Sequence, residues 1–155
     1  MRTRKFVSVF FILSMLIFFE GCTPDALDIY GRPIRISDYR GKWIVINYWA
    51  TWCVPCIQEI PELNKLAKYY KHKVIVLGVN VDNLSDSVLR NLSQGYQVNY
   101  PFLSSFPIEK WGGKPDDLPV TYIIDPHGKL SHTLHGPQKL ENFQAVMSLP
   151  AVTYD

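Results

Sequence analysis

Hydrophobic positions divide the chain into runs of different period. The first run, "FVSVFFILSMLIFF" from Phe6 to Phe19, carries no charge; it follows the basic "MRTRK" and stops at Glu20. It is shorter than the ~20 residues a membrane-spanning helix needs and has the length of the apolar part of an export signal. Residues 1–21 are therefore expected to be a signal peptide, with an uncleaved N-terminal anchor as the alternative. Residues 22–155 are then one domain facing an extracytoplasmic, disulfide-permissive compartment.

Beyond that point the periods alternate between strand and helix. "TPDALDIYGRPIRISDYRGK" has turn signals at Gly31-Arg32-Pro33 and Gly41, which predicts a short hairpin. "WIVINYW" (Trp43 to Trp49) and "VIVLGVNVD" (Val74 to Asp82) are continuous apolar, β-branched runs, the pattern of strands buried on both faces. Between them Ile57, Ile60, Leu63, Leu66, Ala67 and Tyr70 recur at helical spacing. "SDSVLRNLSQG" reads as a helix with Ser85 as N-cap and Gly95 as stop, and "YPFLSS" as a short strand. "PVTYIID" and "KLSHTLH", joined by Pro126-His127-Gly128, predict an antiparallel hairpin, and Leu140, Phe143, Val146 and Met147 a closing helix. This order predicts an α/β three-layer sandwich with a mixed central sheet and an added N-terminal hairpin.

Charge excludes one class of partner. Removing residues 1–21 takes away Arg2, Arg4, Lys5 and Glu20, so 16 basic and 14 acidic residues become 13 of each. A neutral domain has no basic excess to attract a phosphate backbone, and nucleic acid is not an expected partner. The three cysteines allow at most one intramolecular bridge, which excludes a disulfide-stapled mini-domain. Cys22 directly follows the apolar run, where a lipoprotein signal would place the cysteine that is acylated; Phe19 and Glu20 depart from the usual Leu and small residue before it. Lipid attachment at Cys22 is expected, with a spare cysteine beside an uncleaved anchor as the alternative.

The chemistry concentrates in "VINYWATWCVPCIQEIPEL", Val45 to Leu63. Cys53 and Cys56 follow a buried strand and open a helix. Cys53 falls in the first turn, where free N–H groups and the helix dipole favour a thiolate. Cys56, three residues on, shares its face and is close enough for a disulfide. Pro55 presets the backbone angle of the first turn and helps hold the two thiols. Thiol–disulfide exchange needs this pair: one sulfur attacks and the other resolves the mixed disulfide. A zinc site would need a second ligand pair, and none is spaced for it.

"NYWATWCVPCIQEIPEL", with "DIYGRPIRISDYRGKW" upstream and "LPVTYIIDPHGKL" downstream, resembles in order and spacing the membrane-tethered thioredoxin-like reductases of the TlpA/ResA type, relatives of DsbE/CcmG in the AhpC/TSA superfamily. The resemblance runs from Leu27 to Met147. It implies the thioredoxin fold, reduction of disulfide-containing protein substrates outside the cytoplasm, a membrane thiol–disulfide electron donor, and no cofactor besides the cysteine pair. It further implies that Cys53 is the nucleophile and Cys56 the resolving thiol. Trp52 would pack beside them, Pro61 would kink the first helix, and Pro119 would be the cis-proline facing the disulfide. A cis bond there would expose the backbone of Leu118 for strand-like pairing with substrate. Glu59 matches the family's acidic residue three positions after the second cysteine, whereas thioredoxins carry a buried aspartate where this chain has Asn47. Glu59 is therefore expected to take the proton of Cys56, partly buried in the same pocket as Pro119, with Glu62 mattering much less.

The remaining candidates have simpler explanations. His127, His132 and His135 read as surface residues, and "KYYKHK" (Lys68 to Lys73) as a solvated helix end. Within the enzymatic class, apocytochrome c cysteines are one substrate, although "PDDLPVT" departs from the pattern of the cytochrome-maturation reductases; a disulfide oxidase or isomerase is an alternative direction. A copper metallochaperone on the same fold is the alternative from another class, and the CxxC spacing argues against it.

Overall fold

The computed structural model describes residues 23–107, 111, 113 and 115–152. The signal or anchor in residues 1–21 and the lipidation site at Cys22 lie outside them. Strand β3 (Trp43–Trp49) forms the middle of a five-stranded sheet ordered β5-β4-β3-β6-β7. It runs parallel to β4 (Val74–Asn80), Trp43 opposite Val74, and antiparallel to β6 (Val120–Ile124), Tyr48 opposite Val120. The edges are β5 (Phe102–Leu103) and β7 (Leu130–His135). The expected N-terminal hairpin is present as β1 (Ala26–Leu27) paired antiparallel with β2 (Pro33–Ile34).

Strand alternation sorts the apolar side chains into two layers. Val45 and Trp49 point to one face, where they join Leu63 and Leu66 of α1 (Val54–Tyr69), Leu89 of α2 (Asp86–Gly95) and Phe143 of α3 (Leu140–Val146). Ile44, Ile46 and Tyr48 point to the other, which is covered by Ile34, Ile36 on a short 3-10 turn, Phe106 and Trp111. The third layer is thus largely irregular chain. This is the mixed-sheet α/β architecture that the alternating runs predict.

Two details shape the site. Asn47 shares the face of Val45 and Trp49, so a buried polar side chain sits under α1. Its neighbour across the ladder is Gly78, where a Cβ would stand 2.7 Å from the Phe102 ring. That absence of a side chain lets Phe102 lie against the sheet and stack on Trp49, ring centroids 4.7 Å apart.

Candidate active site

The strand β3 ends at Trp49, and Ala50–Trp52 lead directly into α1. Cys53 is the N-cap of α1 rather than a residue of its first turn, because its backbone is still extended (φ −87°, ψ 91°). Its sulfur does what an N-cap oxygen would do, accepting the Cys56 N–H at 3.3 Å. Cys53 and Cys56 form a disulfide, S–S 2.01 Å, with Cα atoms 5.3 Å apart. Pro55 occupies the first turn, where its missing N–H costs nothing. Pro61 lies inside the same helix.

Exposure around the disulfide is uneven. Cys53 and Cys56 are 4% and 0% exposed, while the flanking Trp52 and Val54 are 70% and 64% exposed. Trp52 therefore stands out from the surface beside the pair rather than packing into it. The Leu118–Pro119 peptide is cis. The β3–β6 register, Tyr48 opposite Val120, brings these two residues alongside the end of β3 from which the cysteines hang. Leu118 is half-buried against the core cluster that contains both cysteines, and the Pro119 carbonyl accepts the Gly136 N–H at 2.9 Å.

Glu59 is more deeply buried than the sequence suggests. Its residue is 2% exposed, one helical turn beyond Cys56. Its Oε2 accepts the Asn47 Nδ2–H at 3.1 Å, and Asn47 also donates to the Thr121 hydroxyl at 2.9 Å. Its Oε1 accepts the Gln138 backbone N–H at 3.0 Å. The expected pocket shared with Pro119 is not the cleft that Glu59 borders. That cleft lies between α1 and the segment before α3, lined by Gln58, Glu62, Lys65, Gln138 and Lys139. The reason is helical geometry plus a partner 79 residues away: the carboxyl turns to the sheet and to the Gln138 amide.

Burial raises the Glu59 carboxyl from the ordinary 4.5 to about 7, against the opposing effect of the bonds from Gln138 and Asn47. Buried Tyr100 is pushed up as well, by desolvation and then by the nearby Glu59 charge. Glu62, one turn along, behaves oppositely. Its burial is outweighed by bonds from Lys65 and the Leu140 N–H, and its carboxyl is held below the ordinary range. Two acids three residues apart on one helix are thus driven in opposite directions, and only Glu59 is placed to exchange a proton near neutral pH.

Sequence reasoning missed Asp82. From the end of β4 its Oδ2 accepts the Thr51 N–H at 2.7 Å, the Thr51 hydroxyl at 3.0 Å and the Asn80 amide at 3.2 Å. The Trp52 indole donates to it too, and these bonds outweigh burial to hold the carboxyl below its ordinary range. Asp82 therefore ties down the two residues before Cys53. An Asp shortly after a buried strand, opposite Thr-Trp, was the available signal. Among the described residues, no group of three His, Cys, Asp or Glu side chains is placed to hold a metal ion. His127, His132 and His135 are exposed, as expected.

Residues 22–133 match the AhpC/TSA family. The chain is similar to the thiol-disulfide oxidoreductase ResA of Bacillus thuringiensis subsp. konkukian, 31% identical over 121 residues, 76% of this chain and 68% of that protein. A DsbF homologue from Corynebacterium diphtheriae shares the fold, with TM-score 0.69, 22% identity, and coverage of 81% of this chain and 85% of that one. The exposed lipoprotein thioredoxin Etrx1 of Streptococcus pneumoniae superposes with TM-score 0.66 at 28% identity, covering 80% of this chain and 97% of that one.

Proposed function

Because this chain belongs to the AhpC/TSA family and is a thiol–disulfide oxidoreductase of the thioredoxin fold, we propose that it reduces protein disulfides outside the cytoplasm while held at a membrane. The observation that carries the reductive direction is the buried Glu59 carboxyl one turn beyond Cys56. A reductant must ionise its resolving thiol after the first attack, and a carboxylate titrating near neutral pH can take that proton. The sequence between the cysteines, Val54-Pro55, brings no cation to stabilise the Cys53 thiolate beyond the helix N-terminus, the condition for a reducing rather than an oxidising couple.

In this mechanism the Cys53 thiolate attacks one sulfur of a substrate disulfide, and the other substrate sulfur leaves as a thiolate that takes a proton from water. Cys56 then gives its proton to Glu59 and attacks the Cys53 sulfur. The second substrate sulfur is released as a thiolate, which is protonated by water, and the Cys53–Cys56 disulfide remains. A membrane thiol–disulfide donor returns two electrons, and no further cofactor takes part. Trp52, Val54 and Leu118 supply the apolar wall against which substrate lies, and the cis Leu118–Pro119 segment supplies backbone for pairing. Pro55 holds the two thiols at the start of the helix. Apocytochrome c is one substrate within this class.

Residues 1–21 serve as the export signal or anchor, Cys22 as the lipidation site, and residues 22–155 as the working domain. The lipoprotein character of Etrx1 and the position of Cys22 after the apolar run support the tether. Reduction of insulin disulfides by dithiothreitol tests the activity. Acceleration by the wild type and none by Cys53→Ser is expected; equal rates would remove the proposal.

A further inference from the structure

The sheet polarises the molecule. Strands β3 and β4 run parallel, and the disulfide sits beyond their C-terminal ends. Their N-terminal ends, the C-terminus of α1 and the turn between β6 and β7 therefore gather at the opposite pole. Bonds between the segments confirm the gathering: Trp43 N–H donates to the Lys73 carbonyl at 2.9 Å and Gly41 N–H to the Pro126 carbonyl at 3.0 Å.

That pole is basic. Arg35, Arg40 and Lys42 precede β3, Lys68, Lys71 and Lys73 surround the junction of α1 and β4, and Lys129 closes the β6–β7 turn. The acids in these segments are Asp38 and Asp125, with Asp25 beside them. Residues 22–155 as a whole hold 13 of each sign, so seven cations against three acids leave the rest of the domain acidic. Arg40, Lys68, Lys71, Lys73 and Lys129 are exposed.

A second observation is independent of charge. Thr23, the first described residue, borders a cavity of about 300 Å³ together with Arg35, Arg40, Asp125 and His127. The 22 preceding residues, with their apolar run and Cys22, thus join the domain at the basic pole and not near the disulfide.

We propose that this pole docks on a bilayer surface rich in anionic lipid headgroups, holding the disulfide outward. The seven residues of β3 alone separate the two ends by about 20 Å. A membrane-embedded electron donor must then project at least that far to reach Cys53, whereas protein substrates approach an unobstructed face. Charge complementarity sets the partner class, and the point where the tether joins favours lipid over an acidic protein. Each cation held at such a surface strengthens attachment about fivefold, within a Debye length and reversibly by salt. The inference rests on the tethered, extracytoplasmic reading above, and the test separates the two.

The full chain is reconstituted with vesicles of phosphatidylcholine alone or mixed with phosphatidylglycerol, and lysines are footprinted with a water-soluble acylating reagent. Labelling of Lys71, Lys73 and Lys129 is expected to fall about fivefold or more on the anionic vesicles and to recover in high salt. Lys139, beside the Glu59 cleft, should label equally on both. The double substitution Lys71→Glu, Lys73→Glu should abolish protection of Lys129 while leaving insulin reduction unchanged. Equal labelling of the pole lysines on both lipids overturns the proposal. So does protection that appears only after an acidic protein extract is added. Flotation with phosphatidylcholine vesicles reports on the tether by itself: a protein that floats with both lipids yet labels equally on both keeps the tether and loses the docked pole.

Discussion

The Glu59→Gln substitution isolates the most unusual group in the molecule. Glu59 is 2% exposed, and its carboxyl is raised from 4.5 to about 7. A carboxyl whose folded pKa lies above its unfolded value binds its proton more tightly when folded. Its contribution to stability is fully present below pH 4.5, declines as the unfolded chain ionises first, and is gone once pH has risen through about 7. The shift corresponds to about 3 kcal/mol, at about 1.4 kcal/mol per pKa unit. Glutamine has nearly the same shape and cannot ionise. It must turn one NH2 toward either the Asn47 amide or the Gln138 N–H, which costs about 1–3 kcal/mol, but equally at every pH. Asp82 and Glu62, both held below their ordinary range, give the opposite pH slope and cancel when the two proteins are compared. Urea unfolding of the oxidised wild type and variant, at pH 4 and at pH 8.5, measures the difference. Wild type should lose about 3 kcal/mol more than Glu59→Gln over that interval. Parallel stability curves would show that Glu59 titrates as an ordinary surface carboxylate and would remove the proton-acceptor role built on it.

Other outcomes follow from the same geometry. Cys56→Ser should accumulate mixed disulfides between Cys53 and substrate, seen as protein adducts on non-reducing gels, because attack proceeds and resolution does not. Asp82→Ala should raise KM for protein disulfides by several-fold while sparing small disulfides, since it frees Thr51 and Trp52 (several-fold meaning roughly 1 kcal/mol of lost positioning). Asp82→Asn should recover part of the loss. Gly78→Ala should destabilise the fold by about 1–3 kcal/mol in denaturant unfolding, because its Cβ meets the Phe102 ring at 2.7 Å.

Strands and helices were legible wherever one period persisted. "WIVINYW" read as a doubly buried strand and the CxxC that follows it as the start of the next helix, although Cys53 caps that helix instead of lying in its first turn. The disulfide and the cis-proline were visible through the resemblance, since both depend on short, ordered motifs. What stayed hidden depends on contacts between distant residues. The depth of Glu59 comes from the Gln138 amide, 79 residues away, and the Asn47–Thr121 bond spans 74. The anchoring of Thr51 by Asp82 spans 31. The exposure of Trp52 was equally hidden: nothing local says that its indole will hold a carboxylate at the surface and leave the ring in water. The basic "KYYKHK" read as a solvated helix end, and only the pairing of β3 with β4 on one side and β6 on the other gathers it with Arg40, Lys42 and Lys129.

The reduction potential of the Cys53–Cys56 couple, measured by equilibration with glutathione at pH 7 and read out by thiol alkylation, decides the reductive direction. A value at or below about −220 mV, in the range of the glutaredoxins or lower toward thioredoxin, is expected of a protein-disulfide reductant. A value near −120 mV, about that of DsbA, would contradict it and make the protein an oxidant.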